Sequence, residues 1–136
     1  MTRLARALPW LLLLHCGASL VHFVHNAEYV AEYPNLPEWI SRQSIYFTWL
    51  AIFSIGLCGY LLYRGRYASI GLMLMAAYAT LGLDGLLHYS RAPLATHTAG
   101  MNATIWFEVV TAAMALAAVL WLAAHRLLRR FRTATA

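Results

Sequence analysis

Charged residues are scarce in this chain of 136 residues, and lysine is absent altogether. Only 11% of the residues are charged, against roughly a quarter in an ordinary soluble domain, whereas 62% are apolar. This composition excludes a typical soluble monomer. A chain of this length has room for four hydrophobic spans of about 20 residues each and for little else, so we expect a single membrane domain over residues 1–136.

Cysteine is also scarce, because the chain contains only two cysteine residues. Cys16 and Cys58 both fall inside apolar runs and at different expected depths. This placement predicts neither a disulfide bond nor a CxxC metal motif.

The net charge of +5 comes from ten arginines set against five acids. A basic protein of this kind invites a nucleic-acid interpretation. The arginines, however, stand in short clusters at the ends of apolar runs, and no basic stripe interleaved with aromatic residues is present. We therefore expect the lipid bilayer as a partner and no nucleic acid.

Four apolar segments are long enough to cross a membrane, at about residues 8–25, 44–63, 67–89 and 101–124. Inside hydrocarbon, each segment must satisfy its own backbone hydrogen bonds, and the chain has no room for the many alternating strands of a barrel. The expected fold class is an all-α integral membrane protein, a four-transmembrane-helix bundle.

The arginines also predict the orientation of the bundle, because positive residues in short loops are retained on the cytoplasmic side. Eight arginines fall on the side of the two ends and the middle loop, and two on the other side. The N and C termini are therefore expected in the cytoplasm. The expected location is the inner membrane of a bacterium, as a multi-pass protein.

Polar side chains concentrate at the opposite end, the outer half of the bundle. At 100° per residue they share one face on each of three helices. These sets are His15, His22, His25, Asn26 and Tyr29 on the first helix, Thr80, Asp84 and His88 on the third, and Thr104, Glu108 and Thr111 on the fourth.

Three of these residues are expected at one depth. At 1.5 Å per residue, His22, Asp84 and Glu108 lie about 6, 8 and 9 Å below the outer ends of their helices. An ionised carboxylate facing hydrocarbon costs about 3 kcal/mol or more, so both acids should face the interior and need partners there. The sequence thus predicts a His/Asp/Glu cluster open to the periplasm.

Imidazole and carboxylate groups presented by facing helices suit a transition metal, namely copper, zinc or iron. We therefore expect a transition-metal-binding membrane protein, either a metal-dependent oxidoreductase or a metal-handling protein. The candidate ligands are His22, His25, Asp84, His88, His97 and Glu108.

Two other interpretations stay open. In the first, the cluster is a structural polar network in a noncatalytic subunit or assembly factor of a larger membrane complex. In the second, the protein is an electron carrier that binds a haem, and the axial ligands of the iron are His88 and either His22 or His25. The sequence decides neither whether the protein is an enzyme nor whether it forms a homo-oligomer.

Overall fold

The computed structural model describes residues 3–134, and within that range it contains helices and no strand. The predicted all-α fold is confirmed. The α-helices are α1 (Arg3–Glu28), α2 (Arg42–Arg64), α3 (Ala68–Leu81), α4 (His88–Arg91) and α5 (Ala99–Ala134). Short 3-10 turns occupy Val30–Glu32, Asp84–Leu87 and Leu94–Thr96.

Four helical segments are long and apolar enough to cross a membrane. They are Arg3–Glu28, Arg42–Arg64, Ala68–Arg91 and Ala99–Arg129. Large apolar side chains cover their outward faces: Trp10 is 73% exposed, Met73 72% and Phe47 71%. Exposed apolar surface on this scale is compatible with contact to a lipid bilayer.

The third segment departs from the prediction of one continuous helix over residues 67–89. α3 ends at Leu81, a 3-10 turn follows at Asp84–Leu87, and α4 begins at His88. Thr80 and Asp84 therefore lie in different helical elements, and the prediction of one uninterrupted α-helix was wrong.

Gly82, the residue that follows the end of α3, packs closely against two other helices. A Cβ atom at this position would lie 2.6 Å from Nε2 of His15 and 2.9 Å from Cβ of Ala112, so only glycine fits between α1 and α5. Glycine is also a poor helix former, about 1 kcal/mol worse than alanine. The residue that lets three segments meet thus also permits the helix to end.

The segment between α1 and α2 packs against the end of the bundle that carries His25 and His88. Tyr33 in this segment is buried, with 4% of its surface exposed. The two ends of the segment are tied together, since Nη2 of Arg42 lies 2.6 Å from Oε1 of Glu28. Ser41 then caps the first turn of α2 by accepting a hydrogen bond from the backbone N–H of Ser44.

The core has two chemically distinct halves. One half is wholly apolar and consists of Leu8, Leu72, Met75, Ala118, Val119 and Leu122. The other half contains buried polar side chains, namely His15, Ser19, His22, His97, Glu108 and Thr111. The candidate site therefore occupies one end of the bundle.

Candidate functional site

His22 on α1 and Glu108 on α5 form the centre of the polar half. Both are buried, at 2% and 0% exposure, and Nε2 of His22 lies 3.5 Å from Oε2 of Glu108. The Ser19 side chain also interacts with the carboxyl group. Within the described residues, neither carboxyl oxygen has a hydrogen-bond partner of good geometry. Glu108 is thus a buried acid with its main polar neighbour in His22.

The protonation of the His22 ring follows from its other contacts. Nδ2 of Asn26, which can only donate, lies 3.0 Å from Nε2 of His22, so Nε2 carries a lone pair. Nδ1 of His22 then carries the hydrogen and donates to Oγ1 of Thr104, 3.3 Å away. Thr104 accepts this bond because its own hydroxyl donates to the carbonyl of Met101. His22 therefore presents an unprotonated Nε2 toward Glu108.

Asn26 joins His22 to His88 at the start of α4. The same Nδ2 atom lies 3.4 Å from Nε2 of His88, and the two imidazole rings have centroids 5.4 Å apart. Nε2 of His88 is therefore also an acceptor. Oδ1 of Asn26 is buried and has no hydrogen-bond partner among the described residues.

Asp84 reaches the cluster from the 3-10 turn. It lines a cavity of about 260 Å³ together with His22, Asn26 and His88. The next residue, Gly85, passes directly beside Glu108, since a Cβ atom there would lie 3.7 Å from Oε2 of Glu108. Asp84 therefore shares a cavity with His22, and the residue that follows it in the chain lies beside Glu108.

His97 approaches the same group from the loop before α5. Its Nδ1–H donates to the carbonyl of Pro93 at 3.1 Å, which leaves the lone pair on Nε2. Nε2 is buried without a partner in the described part of the chain. The His97 ring lies 6.2 Å from the His88 ring, centroid to centroid. An Nδ1–H held by a backbone carbonyl is the arrangement in which proteins often present Nε2 to a metal.

His25 is engaged with Tyr33. Its Nδ1 and the Tyr33 hydroxyl are 2.9 Å apart, and the Tyr33 ring also contacts His88 at a centroid distance of 5.0 Å. Burial raises the pKa of the Tyr33 hydroxyl, which therefore stays protonated. His25, on α1, is thus hydrogen-bonded to a side chain of the loop between α1 and α2.

No set of three or more His, Cys, Asp or Glu side chains in residues 3–134 has the geometry to hold a metal ion as it stands. The structure does bring His22 and Glu108 into direct contact, with His88 joined to His22 through Asn26 and Asp84 beside the shared cavity. An ion bound here would need side-chain movement to gain a third protein ligand.

Asn26 and Tyr33 contact the predicted histidine ligands but were not themselves predicted as ligands. Asn26 had a signal in the sequence, because it follows His22 by four residues on the polar face of α1. Tyr33 had none, since the sequence places it in a proline-rich loop where an aromatic residue is ordinarily part of the interfacial belt. Only the path of the loop brings Tyr33 inward.

A scan against protein-family models, a search of curated proteins and a search of solved structures each found no match to this chain.

Proposed function

We propose that this protein binds a transition-metal ion, such as copper, zinc or iron, between α1 and α5. His22 Nε2 and Glu108 Oε2 supply the first two ligands. The observation that carries this proposal is the 3.5 Å approach of these two atoms in a buried site.

The two facing atoms are both acceptors when Glu108 is ionised. His22 Nε2 carries a lone pair because Asn26 donates to it, and a carboxylate offers lone pairs only. Two such atoms repel each other unless a positive charge lies between them. A proton shared by the pair or a metal ion bound to both meets this requirement.

The separation fits a shared metal. Two ligands bound to a tetrahedral zinc at 2.0 to 2.2 Å lie about 3.4 Å apart. The observed 3.5 Å thus corresponds to neighbouring positions in one coordination sphere. The Nδ1–H contact with Thr104 holds the His22 ring in the orientation that such a ligand needs.

Further ligands come from the cavity side of the pair. Rotation of the Asn26 amide would replace its Nδ2 by Oδ1, the unpartnered oxygen, and would free Nε2 of His88. Asp84 lines the same cavity and adds a negative charge to balance the ion. In this proposal Asn26 occupies the metal-binding position in the absence of the ion, and His25 and His97 support the ligands from outside.

The adjoining cavity gives an exchangeable ligand somewhere to bind. Apart from the polar cluster it is lined mainly by apolar side chains, including Leu36, Trp39, Ile40 and Ile45. An oxidoreductase needs an open coordination position beside an apolar pocket, and a metal-handling protein needs a route for the ion. The rings of His22 and His88 are joined through Asn26, which favours a bare ion over a haem plane between them.

A structural polar network is the second candidate, and one observation favours it. Asn26 already satisfies Nε2 of both His22 and His88, so the cluster is connected without an ion. In that case the network fixes the register of α1, α4 and α5 in a subunit of a larger membrane complex. The two candidates differ in what metal addition does.

The test is metal content after purification in detergent. The protein is stripped with chelator, reloaded separately with zinc, copper or ferrous iron, desalted and analysed for metal per chain. We expect about one ion per chain in the parent and a loss of most of it in H22Q and E108Q, because each removes one of the two facing ligands.

H125Q is the matched control, because His125 lies near the other end of α5 and contacts Trp121. It should retain the parent's metal content. A parent protein that binds none of the three metals, or that binds them equally well with H22Q and E108Q, would contradict the metal proposal and favour the structural network.

A further inference from the structure

A groove between α3 and α5 lies at the apolar end of the bundle, away from the polar cluster. Its volume is about 560 Å³. Leu72 and Ala76 line it from α3, and Val119, Ala123 and Ala124 line it from α5. The small side chains of the three alanines leave the space that larger residues would fill.

The groove has a polar end. Ser69, in the first turn of α3, and Arg126, near the end of α5, both line it. α3 and α5 run in opposite directions, since Gly82 beyond the end of α3 lies against Ala112 in the middle of α5. Ser69 and Arg126 therefore lie together at one end, with the apolar walls leading away from them toward the middle of the bundle.

Arg126 has no acidic residue near it to pair with. Residues 3–27, 39–83 and 109–134, which include every residue that lines the groove, contain no aspartate or glutamate. Arg64 and Arg66 add to the positive charge there. The Arg126 side chain is exposed, so its guanidinium is available to an anion from outside the described chain.

The length of the groove indicates which kind of ligand fits it. From Val119 to Leu127, the ends of the groove on α5, the helix rises about 12 Å, which is close to the depth of one leaflet in a hydrocarbon core about 30 Å thick. An acyl chain running along the groove has this length, and a phosphate at the level of Arg126 lies where lipid headgroups begin.

We propose that this groove binds an anionic phospholipid. The phosphate group interacts with the Arg126 guanidinium and the Ser69 hydroxyl, and one acyl chain lies along Leu72, Ala76, Val119 and Ala123. The argument uses an apolar groove, its length and an uncompensated charge at its end. It is independent of the metal proposal.

The experiment is lipid retention measured by native mass spectrometry. Delipidated protein in detergent is titrated with phosphatidylglycerol or with phosphatidylcholine of the same acyl chains. We expect the parent to retain phosphatidylglycerol about fivefold better, and R126Q to lose that preference, because one arginine near the membrane surface contributes about this factor for an anionic lipid.

Two further variants make the result specific to the groove. A123L fills the groove without altering charge and should lower retention of phosphatidylglycerol. R66Q removes an arginine at the same end but outside the groove lining, and should leave the preference intact. Equal retention of the two lipids by the parent, an equal effect of R66Q and R126Q, or unchanged retention in A123L would each overturn the proposal.

Discussion

Asn26 connects the His22 and His88 rings of the cluster. Its amide nitrogen contacts two imidazole acceptors, while its oxygen is buried without a partner in the described structure. In this orientation of the amide, Oδ1 of Asn26 receives no hydrogen bond, whereas Nε2 of His22 and Nε2 of His88 each accept one. A metal ion bound to His22 would favour the reversed amide, because Oδ1 is a ligand and Nδ2 is not.

The first prediction follows from this position. N26D places a carboxylate beside His22 and His88, so it should raise metal affinity by about tenfold, the scale on which single changes around a metal site act. Competition with a chelator of known affinity measures the change. N35D makes the same chemical substitution at an exposed loop residue whose amide donates to the Arg91 carbonyl and not to the cluster, so it should leave metal affinity unchanged. Weaker metal binding in N26D than in N35D would contradict the role given to Asn26.

Asp84 gives the second prediction. A bound ion at 100 times its dissociation constant stabilises the folded state by about 2.7 kcal/mol. Chelator should therefore lower the thermal stability of the metal-loaded parent, and D84N should show a smaller loss, because the amide keeps the shape of the side chain but not the charge that balances the cation.

The structural network predicts a different result for the same variant. D84N then removes a half-buried charge and leaves stability unchanged or higher, and chelator has no effect on either protein. Thermal unfolding in detergent, with and without chelator, separates the two results. E32Q changes an exposed loop carboxylate and serves as the control.

The sequence predicted part of this cluster for a physical reason. The helical rise is constant, so counting residues from the helix ends placed His22 and Glu108 at one depth although they are far apart in the chain. Counting cannot predict a side-chain rotamer or the path of a loop. The roles of Asn26 and Tyr33 depend on these, and they emerge only from the structure.

At the scale of elements, glycines set how closely the α2 and α3 helices approach. A Cβ atom on Gly71 would lie 2.6 Å from the carbonyl oxygen of Gly59 and 2.7 Å from Cα of Tyr63. These contacts are with backbone, which cannot turn aside as a flexible side chain does. Small residues allow such close helix contacts within membranes.

The third prediction uses this contact. G71A should lower the free energy of unfolding by about 1 to 3 kcal/mol, the usual cost of overpacking a well-packed interface. G17A is the matched control: a Cβ atom at Gly17 meets nothing within 4 Å. Since Gly17 lies inside α1, alanine there should stabilise the helix by up to about 1 kcal/mol. Unfolding by denaturing detergent measures both changes, and equal destabilisation would contradict the packing argument.

The elements themselves were predictable where hydropathy is continuous. α2 begins and ends within two residues of the predicted 44–63 segment. α5 continues to Ala134, beyond the predicted end at residue 124, because an arginine-rich segment can remain helical after the apolar run stops. The break after Leu81 was missed, since the third apolar run continues through Gly82 without a signal that would end the helix.

At the scale of the whole molecule, the polar cluster reaches only part of the way through the bundle. From Asn26 to His15, its extent along α1 is about 16 Å, or half of a 30 Å hydrocarbon core. The apolar cluster of Leu8, Met75 and Val119 fills the other half, and all three are fully buried. This arrangement is compatible with a site that opens to one side of a membrane.

The last prediction concerns which side that is. The arginine asymmetry predicts both termini in the cytoplasm, so the loop before α5 and the polar cluster should face the periplasm. A reporter that is active only outside the cytoplasm should be active when inserted at Leu94 and inactive when fused at Ala136, which lies outside the described residues. A second reporter, active only in the cytoplasm, should give the reverse pattern: inactive at Leu94 and active at Ala136. Activity of the first reporter at Ala136 would reverse the orientation, and the proposed metal site would then draw its ion from the cytoplasm.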